Sequence, residues 1–108
     1  MADSFSKRKK GEELKFELDQ QLLFKAESRR NKLLGLWLAE TFGLTGDAAN
    51  AYAKEVVISD LDEPGIEDVM RKVMSDIEKH SAPVTEDQVR AKIGELESVA
   101  IDQIKAEI

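Results

Sequence analysis

Ile66-Glu67-Asp68-Val69-Met70-Arg71-Lys72-Val73-Met74-Ser75-Asp76-Ile77 is the stretch that decides the fold class. Its apolar residues Ile66, Val69, Met70, Val73, Met74 and Ile77 recur at i, i+3, i+4, i+7, i+8 and i+11. That spacing is one face of an α-helix; a half-buried strand alternates with a period of two instead. Asp62 and Glu63 ahead of Pro64 read as the start of this helix, and Pro83 stands beyond its end. Next comes Thr85-Glu86-Asp87-Gln88, a capping box in which Thr and Gln side chains satisfy two backbone donors that a helix start leaves orphaned. Behind it Val89, Ile93, Leu96, Ala100, Ile104 and Ile108 make a second stripe.

Toward the N-terminus, a third helix is expected from near Thr45-Gly46-Asp47, with Ala49, Tyr52, Ala53, Val56 and Val57 on one side. Before it, from about Gly11 to Thr41, only Gly35 interrupts good helix formers, at a cost of about 1 kcal/mol against Ala. Gly43 stands where a helix-ending glycine belongs. At about 1.5 Å per residue, the 31 residues from Gly11 to Thr41 span about 46 Å. The other three helices are shorter and leave the N-terminal part of this one uncovered. Residues 1–15 contain only Phe5 and Leu14 as large apolar side chains, too little burial to offset their ordering entropy. The expected fold is all-α: a four-helix bundle-like domain over residues 16–108, with a long first helix and a mobile N-terminal arm over residues 1–15. Leu33 to Phe42 is the densest apolar stretch. Trp37 is the expected centre of the core, with Leu33, Tyr52, Val73, Ile93 and Leu96 as its partners.

With 108 residues the chain is one domain's worth, and its 22 acidic against 16 basic side chains set a net charge of −6. The charge is uneven. Residues 1–59 carry ten basic and nine acidic side chains, net +1, whereas residues 60–108 carry six and thirteen, net −7. A basic-tipped arm on an acidic body is the result. The net charge argues against a nucleic-acid binder. No apolar run approaches the roughly 18 residues of a membrane span. Lys7-Arg8-Lys9-Lys10 runs into charged residues rather than an apolar stretch, so a signal peptide is not expected. The absence of cysteine removes disulfides, thiolate metal sites and cysteine nucleophiles together.

Catalytic chemistry is not expected. His80 is the only histidine and, without cysteine, makes no zinc site; a solvated loop position suits it. The six glycines are scattered singly and form no phosphate cradle. Asp60-Leu61-Asp62-Glu63-Pro64-Gly65 begins like a calcium loop, but Pro64 occupies its fifth position and Arg71 the twelfth, where a bidentate Glu is required. No metal, cofactor or catalytic residue is assigned. Arg29-Arg30-Asn31-Lys32 reads as a solvated helix face with Glu27 as a nearby partner.

One run is not generic. Phe24-Lys25-Ala26-Glu27-Ser28-Arg29-Arg30-Asn31-Lys32-Leu33-Leu34-Gly35-Leu36-Trp37 resembles the signature of the ζ subunit, the ATPase-inhibitor subunit of alphaproteobacterial F-type ATP synthases. Matching blocks follow in order: Ala51-Tyr52-Ala53-Lys54-Glu55-Val56-Val57, Glu67-Asp68-Val69 with Arg71-Lys72-Val73, Val89-Arg90-Ala91-Lys92, and Ala100-Ile101-Asp102-Gln103-Ile104. The resemblance covers roughly residues 15 to 108. It implies a four-helix domain whose N-terminal arm inserts as a helix between a catalytic α/β subunit pair, beside the γ shaft. There the arm blocks hydrolysis and spares synthesis. The implied partners are the α, β and γ subunits of the catalytic sector. The implied place is the cytoplasm, peripheral to the inner membrane through the ATP synthase, with the protein monomeric when free and not itself inserted in the membrane.

In the arm and at its junction with the helical domain, Phe5, Leu14 and Phe16 are the expected apolar anchors, and Lys7, Arg8, Lys9, Lys10 and Lys15 the steering charges. The arm departs from the family pattern, which carries a phenylalanine a few residues before the Lys15-Phe16 match; here the nearest apolar residue is Leu14, and Gly11 weakens the helix. That departure keeps open a ζ homologue that inhibits weakly or acts as a helical protein-binding adaptor. A small nucleic-acid-associated protein using Lys7 to Lys10 and Arg29 to Lys32 is the alternative from another class, and the net charge stands against it.

Overall fold

The computed structural model describes residues 20–62 and 65–107. Among them are four α-helices and no strand: α1 Gln20–Thr41, α2 Gly46–Asp62, α3 Ile66–Lys79 and α4 Glu86–Glu107. The all-α, four-helix expectation holds. The arm expected over residues 1–15, and the part of the first helix before Gln20, lie outside the described residues. Within them α1 is no longer than α4, at 22 residues each.

Local chemistry explains most helix ends. After Thr41 the chain makes a Schellman turn: the Leu44 N–H donates to the Ala39 carbonyl (2.8 Å) and the Gly43 N–H to that of Glu40 (3.1 Å). The turn needs a left-handed residue, and Gly43 supplies φ 82° without a Cβ to clash. The end of α3 repeats the pattern, with Ala82 N–H donating to Ile77 (3.0 Å) and Ser81 N–H to Glu78 (3.1 Å). Here the left-handed position is Ser81, at φ 52°. A side chain in that region is strained by about 1–2 kcal/mol. Ser81→Gly is therefore expected to stabilise the fold, by about 0.5–1 kcal/mol once the greater freedom of the unfolded glycine chain is subtracted. A rise in melting temperature tests it.

The capping box forms as the sequence predicts. The Thr85 N–H donates to Gln88 Oε1 (2.9 Å) and the Gln88 N–H to Thr85 Oγ1 (3.2 Å). The start of α3 differs from expectation, because α2 runs through to Asp62 and Gly65 holds the N-cap position without a side-chain cap. A carboxylate from α2 serves this end instead: Asp60 Oδ1 accepts the Gly65 N–H at 3.2 Å. Glu67 and Asp68 sit in the first turn of α3, where the helix dipole favours negative charge.

Helix α1 packs against both α2 and α4, α2 packs against α3, and α3 touches α4. Leu34, Leu38, Val56, Val69, Val73 and Val89 are wholly buried, with Tyr52, Met70, Ile77 and Ile93 around them. The stripes read for α3 and α4 are thus the faces they bury. For α1 the expected core centre is corrected. Trp37 is only partly buried and packs at the rim of the cluster, with Lys92 Nζ 5.1 Å from its ring centroid; Leu33 is likewise only half-buried. Leu34 and Leu38 hold the centre because the side of α1 between α2 and α4 runs through Ala26, Arg30, Leu34 and Leu38 at four-residue steps. Gly35 serves as an approach point rather than a defect. A Cβ built on it would stand 2.6 Å from the Ala53 Cα, so the backbones of α1 and α2 meet there.

Candidate functional site

Two largely buried polar clusters and an open groove stand out among the described residues. The first cluster joins α2 to α3. Tyr52 donates its hydroxyl to Asp76 Oδ2 at 2.9 Å, and Lys72 Nζ lies 2.9 Å from the same oxygen and 2.8 Å from Glu55 Oε1. Burial first, and then the bond to the Asp76 carboxylate, push the Tyr52 phenol far above its ordinary range. Burial alone pulls Lys72 down, but the Glu55 and Asp76 carboxylates outweigh it and leave the ammonium more firmly protonated than usual. A phenol and an ammonium so held are neither base nor nucleophile at neutral pH. The cluster satisfies a buried aspartate and sets the register of α2 on α3. Phe42 closes over it, edge-on to Tyr52 at 5.4 Å and stacked on His80 at 4.2 Å. His80 is exposed as expected, yet its ring lies against an aromatic partner rather than in open solvent.

The second cluster corrects the expectation for Arg29-Arg30-Asn31. Asn31 is 1% exposed and donates from Nδ2 to Asp60 Oδ2 at 3.1 Å, while its Oδ1 accepts from Arg30 Nε at 3.1 Å. The Arg30 guanidinium, also buried, reaches Glu97 at 3.8 Å and Asp60 at 4.0 Å. Arg29 donates to Gln103 Oε1 (2.7 Å) and to Glu107 Oε1 (3.0 Å). The hydrogen bond with Arg29 holds the Glu107 carboxyl below the usual range and raises Arg29 in turn. These side chains tie α1 to α2 and α4; of the four residues, Lys32 is the exposed one. Burial of Arg30 and Asn31 goes with partners 29 to 67 positions away in sequence, which no local pattern reveals.

The groove lies where the start of α1 meets the end of α4 and the last turns of α2. Phe24, Lys25, Ser28, Arg29 and Lys32 of α1, Val57 of α2, and Ile104 and Glu107 of α4 line its volume of about 460 Å³. The Phe24 ring is 55% exposed. Leu22-Leu23-Phe24, an apolar run too wide for one helix face, is the sequence signal that points to this surface.

No group of three or more His, Cys, Asp or Glu side chains able to hold a metal ion occurs among the described residues, and no described helix is long and apolar enough to cross a membrane. The expected partner-binding residues Phe5, Lys7, Arg8, Lys9, Lys10, Leu14, Lys15 and Phe16 all lie outside the described residues, so the structure brings none of them together.

Against known proteins, residues 1–103 match the family model for ATPase inhibitor subunit zeta. A structure solved by solution NMR is similar at 54% identity, covering 79% of this chain and 96% of that one with a TM-score of 0.69. The search of curated proteins returned no match.

Proposed function

From the premise that the chain belongs to the ATPase inhibitor subunit zeta family, we propose that it binds the catalytic sector of a rotary ATP synthase and inhibits ATP hydrolysis through residues 1–15. The family carries an inhibitory, regulatory role on ATP synthase, without catalysis of its own. The observation that carries the reading furthest is the extent of the family match: it begins at residue 1 and so includes every anchor and steering residue from Phe5 to Phe16. The α, β and γ subunits are the proposed partners. The proposed location is the cytoplasmic side of the inner membrane, reached through the synthase rather than by insertion, with the protein monomeric when free.

Two features support the division of labour between arm and body. Among the described residues the core runs from Ala26 to Ile104 and draws on all four helices. Phe5, Leu14 and Phe16 are the only large aromatic or branched apolar residues before Leu18. Burying one such side chain in a crevice of the partner contributes about 1.5–3 kcal/mol before ordering costs. Lys7, Arg8, Lys9, Lys10 and Lys15 act mainly on association rate and on its salt dependence.

Removing residues 1–15 is expected to abolish inhibition of ATP hydrolysis by the cognate enzyme and to leave the body's melting temperature nearly unchanged. Neutralising Lys7, Arg8, Lys9 and Lys10 weakens inhibition most at low ionic strength and least at high. Hydrolysis assays with added full-length and truncated chain decide between the arm and the body: equal inhibition by both moves the active surface to the helices. The departure around Leu14 favours one alternative, a homologue that binds without inhibiting, and sector binding by the full chain with undiminished hydrolysis would establish it.

A further inference from the structure

We propose that the groove around Phe24 is a second docking surface, which seats an acid-flanked apolar helix of the catalytic sector when residues 1–15 are engaged. The proposal rests on the proposed function for the identity of the partner.

Phe24 stands on α1 with 55% of its surface in water, although Ala26, two positions on, is already core. A large aromatic anchor beside an open apolar cleft is what a partner's central contact uses. Around it Lys25, Ser28, Arg29 and Lys32 fall at i, i+3, i+4 and i+7, one stripe of the helix. Arg29 is held by Gln103 and Glu107, whereas Lys25 and Lys32 extend one turn to either side of it and are exposed. Ser28 between them is small and leaves the cleft open. The lining carries three cations against one carboxylate, net +2, on a chain whose net charge is −6. An exposed aromatic under a cationic rim selects an apolar segment bearing carboxylates. Lys25 and Lys32 are seven residues apart, about 10.5 Å along α1, so carboxylates two turns apart on a facing helix meet both.

Position adds the second reason. Phe24 lies eight residues beyond Phe16, so the groove stays within about 28 Å of that anchor whatever the path of the intervening chain. A partner that holds the arm therefore meets the groove at high effective concentration, and a weak second contact lengthens the residence of the whole.

The test is binding of the full chain to the isolated catalytic sector, titrated at low and at high salt, with Phe24→Ala and with Lys25→Glu/Lys32→Glu. Phe24→Ala is expected to raise Kd about tenfold, chiefly through faster dissociation. The charge reversal is expected to raise Kd about tenfold at low salt and much less at high salt. Melting temperatures should move by only a few degrees, because Lys25 and Lys32 are exposed and Phe24 is more than half exposed. Unchanged Kd in folded variants overturns the proposal, as does failure of the full chain to bind the sector. So does a groove-dependent dimer of the free chain in sedimentation, which would give the surface to a second copy. Truncation of residues 1–15 separates the two readings. Residual binding that Phe24→Ala removes keeps the groove whatever becomes of the arm; binding that needs residues 1–15 and ignores Phe24 keeps the arm and discards the groove.

Discussion

Leu38→Ala is expected to destabilise the domain by about 2–5 kcal/mol, and Leu34→Ala by a similar amount. Both side chains have 0% exposure and sit in the cluster that α2, α3 and α4 complete with Val56, Val69, Val73 and Val89. Truncation removes the transfer energy of three carbons and leaves a cavity that helices pinned by buried polar clusters cannot readily close. Trp37→Ala is expected to cost less, about 1–2 kcal/mol, although tryptophan is the larger residue. Its ring packs at the rim, and part of what it loses is the cation–π interaction with Lys92, 5.1 Å from the ring centroid. For a small domain with a total stability of about 5–15 kcal/mol, the leucine variants lie near the threshold of unfolding. Urea denaturation followed by far-UV circular dichroism ranks the three. A larger loss for Trp37→Ala than for Leu38→Ala would move the centre of the core back to the indole.

The second large effect has a sign opposite to helix propensity. Gly35→Ala gains about 1 kcal/mol of propensity yet is expected to destabilise by about 1–3 kcal/mol net. The added Cβ would lie 2.6 Å from the Ala53 Cα, 3.2 Å from the Ala53 Cβ and 3.2 Å from Val56 Cγ2. The nearest of these is backbone, so no rotamer change relieves it and α1 must move off α2. Ala53→Gly in the same chain should rescue little, since the clash with the backbone at position 53 persists. Gly94 is the internal comparison. It lies in α4, exposed, and a Cβ there meets nothing within 4 Å. Gly94→Ala should follow propensity and stabilise by about 0.5–1 kcal/mol. Equal and positive shifts in melting temperature for both substitutions would show that the helices do not touch at Gly35.

The separation of α1 from α2 matters for the site as well as for stability. Asn31, Gly35 and Ala39 recur every four residues along the α1 face on α2, and all three are buried. Close approach there brings Asn31 to Asp60, which also accepts the Gly65 N–H, so one carboxylate links α1, the end of α2 and the start of α3. Arg29 links the same region to the last turn of α4 through Glu107. Arg29, tied to α4 in this way, is also one of the residues that line the groove around Phe24.

What the sequence by itself determined is what neighbours within two or three turns decide. The stripe from Ile66 to Ile77, the reciprocal bonds of Thr85 and Gln88 and the glycine ending at Gly43 each depend on residues three to eleven positions apart. Their periodicity and donor chemistry are written locally, so the four helices are legible without any knowledge of packing. The family, too, is legible from the run around Arg29 to Trp37. Tertiary structure alone decided which of several apolar residues on a crowded helix point inward, and so placed Leu34 and Leu38 rather than Trp37 at the centre. It also turned Gly35 from a weakness into a point of close approach and took Arg30 and Asn31 out of solvent. The reason is common to all three: a side chain is buried, or a glycine required, only because of what a distant segment brings against it. Asp60 lies 29 residues from Asn31 and Glu97 lies 67 from Arg30, far beyond the reach of any helical period.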